Sequence, residues 1–347
     1  MFVFNPQQSK AASSSRPRSR RDGFTLVELL MVIMIIGILS TFVLVALTGA
    51  NETAKEDRTK AQIKKIHELI MEKWEQYRYR RVPATRTMVM RRQFGSQTVS
   101  NTKMSKERIA GLRELLRMEM PSFMSDVMSP AGKLIDPLDA PRYRRPYQSA
   151  LQRAYQQRAT DTWSPAHENA ECLYLILSQI RDQNSSALEF FRENEIADVD
   201  GDGMNEIVDA WGNPIQWLLW APGHLSPMQV SLTEQPEQDD PFDPSTLGSG
   251  YNANNFNGTY AGNGFNIDFS QLPRALYPLI NSAGPDGKHG IVLGTNENGV
   301  SNQNWLSANN DPYDRDAQRQ MFLLGATSVA NAKALADDIS NHYLTTR

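Results

Sequence analysis

Gly23-Phe24-Thr25-Leu26-Val27-Glu28-Leu29-Leu30 opens a run that carries no charge from Leu29 to Leu47, and this stretch decides the fold. A helix over Phe24–Thr48 would be roughly 37 Å long at about 1.5 Å per residue. That exceeds a hydrocarbon core of about 30 Å. The residues before it are polar and basic (Lys10, Arg16, Arg18, Arg20, Arg21), with Asp22 the one acid. They are expected to stay in the cytoplasm, which puts the C-terminal bulk on the far side of the membrane. An ordinary secretory signal has a shorter apolar core followed by a small-residue cleavage site. Here the Gly23-Phe24 junction precedes the run, so a cut there would leave the whole span on the mature chain. Glu28 is the odd residue, because a carboxylate near the start of a span needs a partner. Cleavage after Gly23 would create an α-amino group at Phe24, and the Glu28 of one subunit could pair with the Phe24 amine of the next.

These residues resemble the cleavage and methylation signal of type IV prepilins and type II secretion pseudopilins. The resemblance implies that a prepilin peptidase cuts after Gly23 and methylates the Phe24 amine. It also implies that Glu28 is the assembly glutamate. The partners it implies are copies of the chain, other pilin-like subunits and an inner-membrane assembly platform.

Beyond the span, Ile63, Ile66, Ile70, Trp74 and Tyr77 recur at steps of three and four, while lysines and glutamates fill the other face. One helix is therefore expected from about Phe24 to about Arg81, ending near Pro83. Charge is unevenly spread over the 347 residues. Residues 1–51 hold 5 basic and 2 acidic side chains, residues 52–158 hold 23 and 12, and residues 159–347 hold 8 and 25. A basic middle and an acidic end read either as two solvated faces or as complementary surfaces of neighbouring subunits. No nucleic-acid motif accompanies the basic part. The single cysteine, Cys172, allows no intrachain disulfide and reads as a buried thiol in an apolar stretch.

Residues 82–160 read as a basic insert, since compact pseudopilins lack so long a stretch here. Within it Ser105–Met118 reads as a short helix with a serine cap, and 147–159 as another. Pro121, Pro130, Pro137, Pro141 and Pro146 should break the chain around them. A solvated excursion is the expectation for the whole insert. Glu168–Arg181 reads as a helix that covers a sheet.

The clearest chemical motif spans residues 198–209. Asp198, Asp200, Asp202, Glu206 and Asp209 place oxygens at positions one, three, five, nine and twelve. Gly203 sits at six, and Met204 offers a carbonyl at seven. That is the ligand spacing of a calcium loop, because close carboxylates repel unless a hard cation sits among them. The alternative is an acidic solvated turn. The following Asp209-Ala210-Trp211-Gly212-Asn213-Pro214 is similar to a turn of the major pseudopilins, with Ala210 in place of their first proline. By that likeness Asp209 would cap the turn rather than bind metal. Ile215–Trp220 then reads as the first strand, with Trp211, Trp217 and Trp220 in the core. Residues 226–270 read as largely loop, above all Asn252–Gly264.

Leu276–Asn281 reads as a second strand leading into Ser282–Gly290, which resembles the pseudopilin Ser-x-Gly-x-Asp-Gly-x-x-Gly turn. The family binds calcium after that turn. Asp286 is the matching acid here, with Glu297 and Asp311 the nearest further candidates. A helix is expected around Val329–Tyr343. The five histidines show no metal or nucleophile spacing, and no phosphate-cradling glycine loop occurs, so no enzyme class is indicated.

The domain plan is thus 1–23 leader, 24–48 transmembrane helix, 49–81 amphipathic continuation, 82–160 basic insert and 161–347 head. The fold class is α+β and pilin-like, a long N-terminal helix packed on a small antiparallel sheet. The function implied is a structural subunit of a type II secretion pseudopilus or type IV pilus-like filament. A minor or tip subunit, an exported binding protein or adhesin anchored by the leader, and a membrane-tethered hydrolase are the alternatives.

Overall fold

The computed structural model describes residues 23–82, 101–128, 140–156, 163–182, 185–231, 233–234, 240–242, 259–262, 265–273, 275–294, 312, 321–328, 331 and 333–344. The chain divides into two compact units, residues 1–53 and 54–347. Helix α1, Leu26–Glu75, passes through the boundary.

In the first unit the helix is long and apolar enough to cross a membrane. Its large apolar side chains from Phe24 to Leu47 are all exposed. Two threonine hydroxyls of this segment return to the main chain, Thr41 Oγ1 to Gly37 O at 2.9 Å and Thr48 Oγ1 to Val45 O at 2.8 Å. This satisfies them without water. The leader, residues 1–22, lies outside the described residues.

In the second unit α1 buries Thr59, Gln62, Ile63, Ile66, Ile70 and Trp74. The helical stripe read from the sequence is therefore the core seam. The helix gives way at Glu75 to a 3-10 turn, Gln76–Tyr79, before the expected Arg81, and Tyr77 stays buried. Pro83 lies outside the described residues.

Among the described residues four further α-helices follow: α2 (Asn101–Glu119), α3 (Met124–Met128), α4 (Ala140–Gln156) and α5 (Glu168–Gln179). The first three correct the expected solvated excursion. Leu115, Leu116, Met118 and Met120 are at most 1% exposed and join the same hydrophobic core as α1. Ser105 lies inside α2 rather than at its start, and Pro146 lies inside α4. Burial of Tyr147 and Leu151 on α4 outweighs the hydrogen bond that the proline removes. Polar bonds fasten the α2–α3 link to the chain at Trp217 and Leu219 and to α5. Trp217 Nε1 donates to Pro121 O at 2.9 Å, Leu219 N to Ser122 Oγ at 2.8 Å and Asn169 Nδ2 to Ser122 O at 2.7 Å.

The strands are short: β1 (Arg181–Asp182), β2 (Ser185–Ser186), β3 (Ile196–Ala197), β4 (Glu206–Ile207), β5 (Gln216–Leu218), β6 (Thr259–Gly262), β7 (Phe265–Asp268), β8 (Leu279–Ser282) and β9 (Ile339–Ser340). The largest sheet among them is antiparallel, in the order β5-β8-β9, with Trp217 opposite Ile280 and Ser282 opposite Ile339. All four β8 residues are buried, as befits a central strand. Helix α5 packs on β4 and β5. This is the expected α+β fold, a long N-terminal helix with small antiparallel sheets.

Two expectations are corrected in the later part. The stretch read as loop contains the β6–β7 hairpin, whose Tyr260 and neighbouring Phe269 stack edge-on to Phe322 at 5.0 and 5.1 Å. Residues 252–258 lie outside the described residues. In place of a helix around Val329–Tyr343, a 3-10 turn (Ala334–Ala336), β9 and a second 3-10 turn (Asn341–Tyr343) occur. Sheet pairing wins because Asn341 completes the edge of β8, accepting from Ile280 N at 2.8 Å and donating to Pro278 O at 3.0 Å.

Candidate functional site

At the head of α1, Thr25 and Glu28 form a reciprocal cap. Glu28 Oε2 accepts from Thr25 N and Thr25 Oγ1, both at 2.9 Å, and Glu28 N donates to Thr25 Oγ1 at 3.2 Å. This is the Thr-x-x-Glu capping box, which satisfies helix-end donors that otherwise lack partners. The sequence carries that spacing, but the membrane context drew attention to the carboxylate alone. Gly23 and Phe24 stand just outside the helix, and both are exposed.

The acidic loop lies between β3 and β4. Gly201 and Gly203 have φ of +82° and +101°, a left-handed backbone suited to glycine. Asp198 takes Gly201 N (2.9 Å) and Gly203 N (3.2 Å), and Asp202 Oδ1 takes Met204 N (2.8 Å). Oxygens of Asp198, Asp200 and Glu206 lie within 4.8 Å of one another. A second group at the same separation consists of Asp200, Asp202 and Glu171. Glu171 comes from α5 and was missed by the loop spacing. Its signal was an acid among the apolar residues of a core-facing helix.

Glu171 and Glu206 are fully buried, and each keeps an Oε1 with no hydrogen-bond partner. Their other oxygens are held: Trp163 Nε1 donates to Glu171 Oε2, and Val199 N donates to Glu206 Oε2 at 2.9 Å. Burial first, and the neighbouring acids next, push the Glu171 carboxyl up to about 10 and that of Glu206 up to about 8.

Asp209 stands apart from both groups. Its Oδ1 accepts from Trp211 N (2.8 Å) and Asn213 N (2.9 Å), and its Oδ2 accepts from Ser282 Oγ (2.7 Å). It caps the turn and, where the loop spacing expects a twelfth ligand, joins neither carboxylate group. Asn213 Nδ2 also donates to Gly284 O at 2.8 Å. The two pseudopilin-like turns, far apart in sequence, are thereby joined at one corner of the sheet. Asp286 is exposed and accepts from Lys288 N at 2.8 Å, and among the described residues it joins no metal-capable group. Glu297 and Asp311 lie outside the described residues. Trp217 and Trp220 are core, as expected, and Cys172 is fully buried with its thiol pushed well up by burial.

A long apolar anchor on an α+β head defines the class: a single-pass, inner-membrane-anchored protein. Residues 18–44 match the family described as the prokaryotic N-terminal methylation motif, in keeping with the prepilin-like reading of Gly23–Glu28. No curated protein and no solved structure matches the chain.

Proposed function

We propose that the protein is a structural subunit of a filament of the type II secretion pseudopilus or type IV pilus kind. It is inserted in the inner membrane with its head outside the cytoplasm, cleaved after Gly23, methylated at Phe24 and assembled with copies of itself and other pilin-like subunits. The observation that carries this reading is the methylation motif over residues 18–44, with Glu28 inside it. The fully exposed apolar surface from Phe24 to Leu47 supports it, because such a surface needs lipid or neighbouring helices around it. Helices α2–α4, which enlarge the head, favour a minor or tip subunit over the repeating one. That version expects a low copy number per filament.

The capping box dictates the test. Glutamine also serves at the third helical position of such a box. Glu28→Gln therefore keeps the helix start and removes only the charge that a neighbouring Phe24 amine would need. Expected is an unchanged membrane level of the variant, with its loss from sheared filament fractions. The mature N-terminal mass should place a methylated Phe24 first. Normal incorporation of Glu28→Gln, or a mature chain that begins at Met1, removes the reading.

A further inference from the structure

The loop spacing alone fixes neither a ligand set nor a role, but helix α5 changes both. Two oxygens that each lie about 2.4 Å from one calcium ion are at most about 4.8 Å apart. Each carboxylate group meets that limit within itself, and Asp200, common to both, links the two into one acidic cluster. The stronger observation is the pair of fully buried glutamates that each retain an unpartnered oxygen. A protein does not leave such oxygens dry without cost, unless something fills the space between them. We propose that Glu171 joins Asp198, Asp200, Asp202 and Glu206 in one site for a calcium-class divalent cation, with the Met204 main-chain carbonyl as a further donor, and that Asp209 is no part of it. This goes beyond the filament reading and does not depend on it.

The donor set is all oxygen, carboxylates plus a carbonyl, as a hard cation requires. Six protein donors suit calcium better than magnesium, which keeps most of its waters. The consequence lies in what the ion connects. A ligand set confined to the loop would fasten only the loop. With Glu171 included, the ion ties the β3–β4 loop to α5, the helix that covers β4 and β5. The segment before α5 is drawn in as well: Trp163 donates to Glu171, and Ser164 N donates to Asp202 Oδ2. The cation thus acts as a tertiary staple of the head, gained only where calcium is plentiful.

Trp163 makes the site readable. Full-length protein in detergent micelles is titrated with terbium under tryptophan excitation, and then with calcium as competitor. Expected are sensitised terbium emission that calcium displaces, and a calcium-dependent rise in Tm that chelator reverses. Glu171→Gln, which preserves shape and the Trp163 acceptor, should lower calcium affinity at least tenfold while melting as the parent does in chelator. Asp209→Asn should leave affinity within twofold. Trp163→Phe should lose the emission yet keep the calcium-dependent Tm. Unchanged affinity in Glu171→Gln overturns the role of α5. Absence of both emission and Tm response in the parent overturns the site.

Discussion

The head buries acidic side chains in two places and treats them in opposite ways. On the α2–α3 side, Asp126 is 3% exposed and every oxygen it has is engaged. Its Oδ1 receives Arg117 Nε at 3.0 Å, and its Oδ2 receives Ser122 N and Phe123 N at 3.1 and 3.2 Å. Arg113 likewise meets Asp240 at 3.0 Å. Where α5 meets the acidic loop, Glu171 of the helix and Glu206 of β4 are buried more deeply and still have oxygens left over. At Arg113 and Arg117 the basic segment settles its charges inside the chain, whereas Glu171 and Glu206 each keep an oxygen without a partner. Under the proposed cation site, the first arrangement is structural and the second is a binding one.

The largest expected effect tests the paired side. Asp126→Asn keeps the shape and an acceptor for Ser122 N and Phe123 N, but removes the carboxylate charge that faces the buried Arg117 guanidinium. Stranding one partner of a buried pair costs about 3–5 kcal/mol. A fall in Tm of about 10 °C is expected in thermal melts of the full chain. A change of a degree or two would mean that water reaches the pair.

The buried histidines, which stay neutral with no ion to hold, give the intermediate effect. His224 and His342 stack edge-on at 5.2 Å, and His224 Nε2 has no partner. Burial pulls their ionisation down to about 4 and about 3. The unfolded chain takes up protons near pH 6.5 and the folded one does not, so this contribution is complete above pH 6.5 and is lost as pH falls towards 4. For His224 the loss reaches about 3 kcal/mol at pH 4. His224→Asn should melt with a flatter pH dependence between 6.5 and 4 than the parent. Parallel curves would show that the ring is already hydrated.

What could be read from the sequence follows the same division. The span, the stripe Ile63–Tyr77 and the α+β class were legible because they depend on local periodicity and on the immiscibility of apolar side chains with water. The basic segment was misread because its arginines look solvated in one dimension. Their partners, Asp126 and Asp240, are recognised only once α2 has folded back. The acidic spacing anticipated that Asp198, Asp200, Asp202 and Glu206 cluster, but not that Asp209 turns to the main chain of Trp211 and Asn213, nor that Glu171 reaches the loop from another element. The C-terminal strand β9 was hidden for a related reason: its two residues carry no period, and only pairing with Ser282 and Asn281 makes them a strand.

The smallest effect separates the two sides most cleanly, because the chemical change is the same and the sign reverses. Glu206→Gln, like Asp126→Asn, turns a buried carboxylate into an amide of equal shape. The acceptor for Val199 N survives. The oxygen without a partner can become an amide NH₂ within reach of the Asp198 and Asp200 carboxylates, which already lie within 4.8 Å of Glu206. In chelator the substitution should therefore raise stability, by about 1 kcal/mol, the cost usually attached to one unsatisfied buried group. With saturating calcium the order should invert, since the parent gains from every ligand it offers the ion and the variant offers one fewer. Melting curves of both proteins in chelator and in calcium give four values. A Glu206→Gln penalty in chelator as large as that of Asp126→Asn would place Glu206 among the internally satisfied charges and erase the contrast between the two regions.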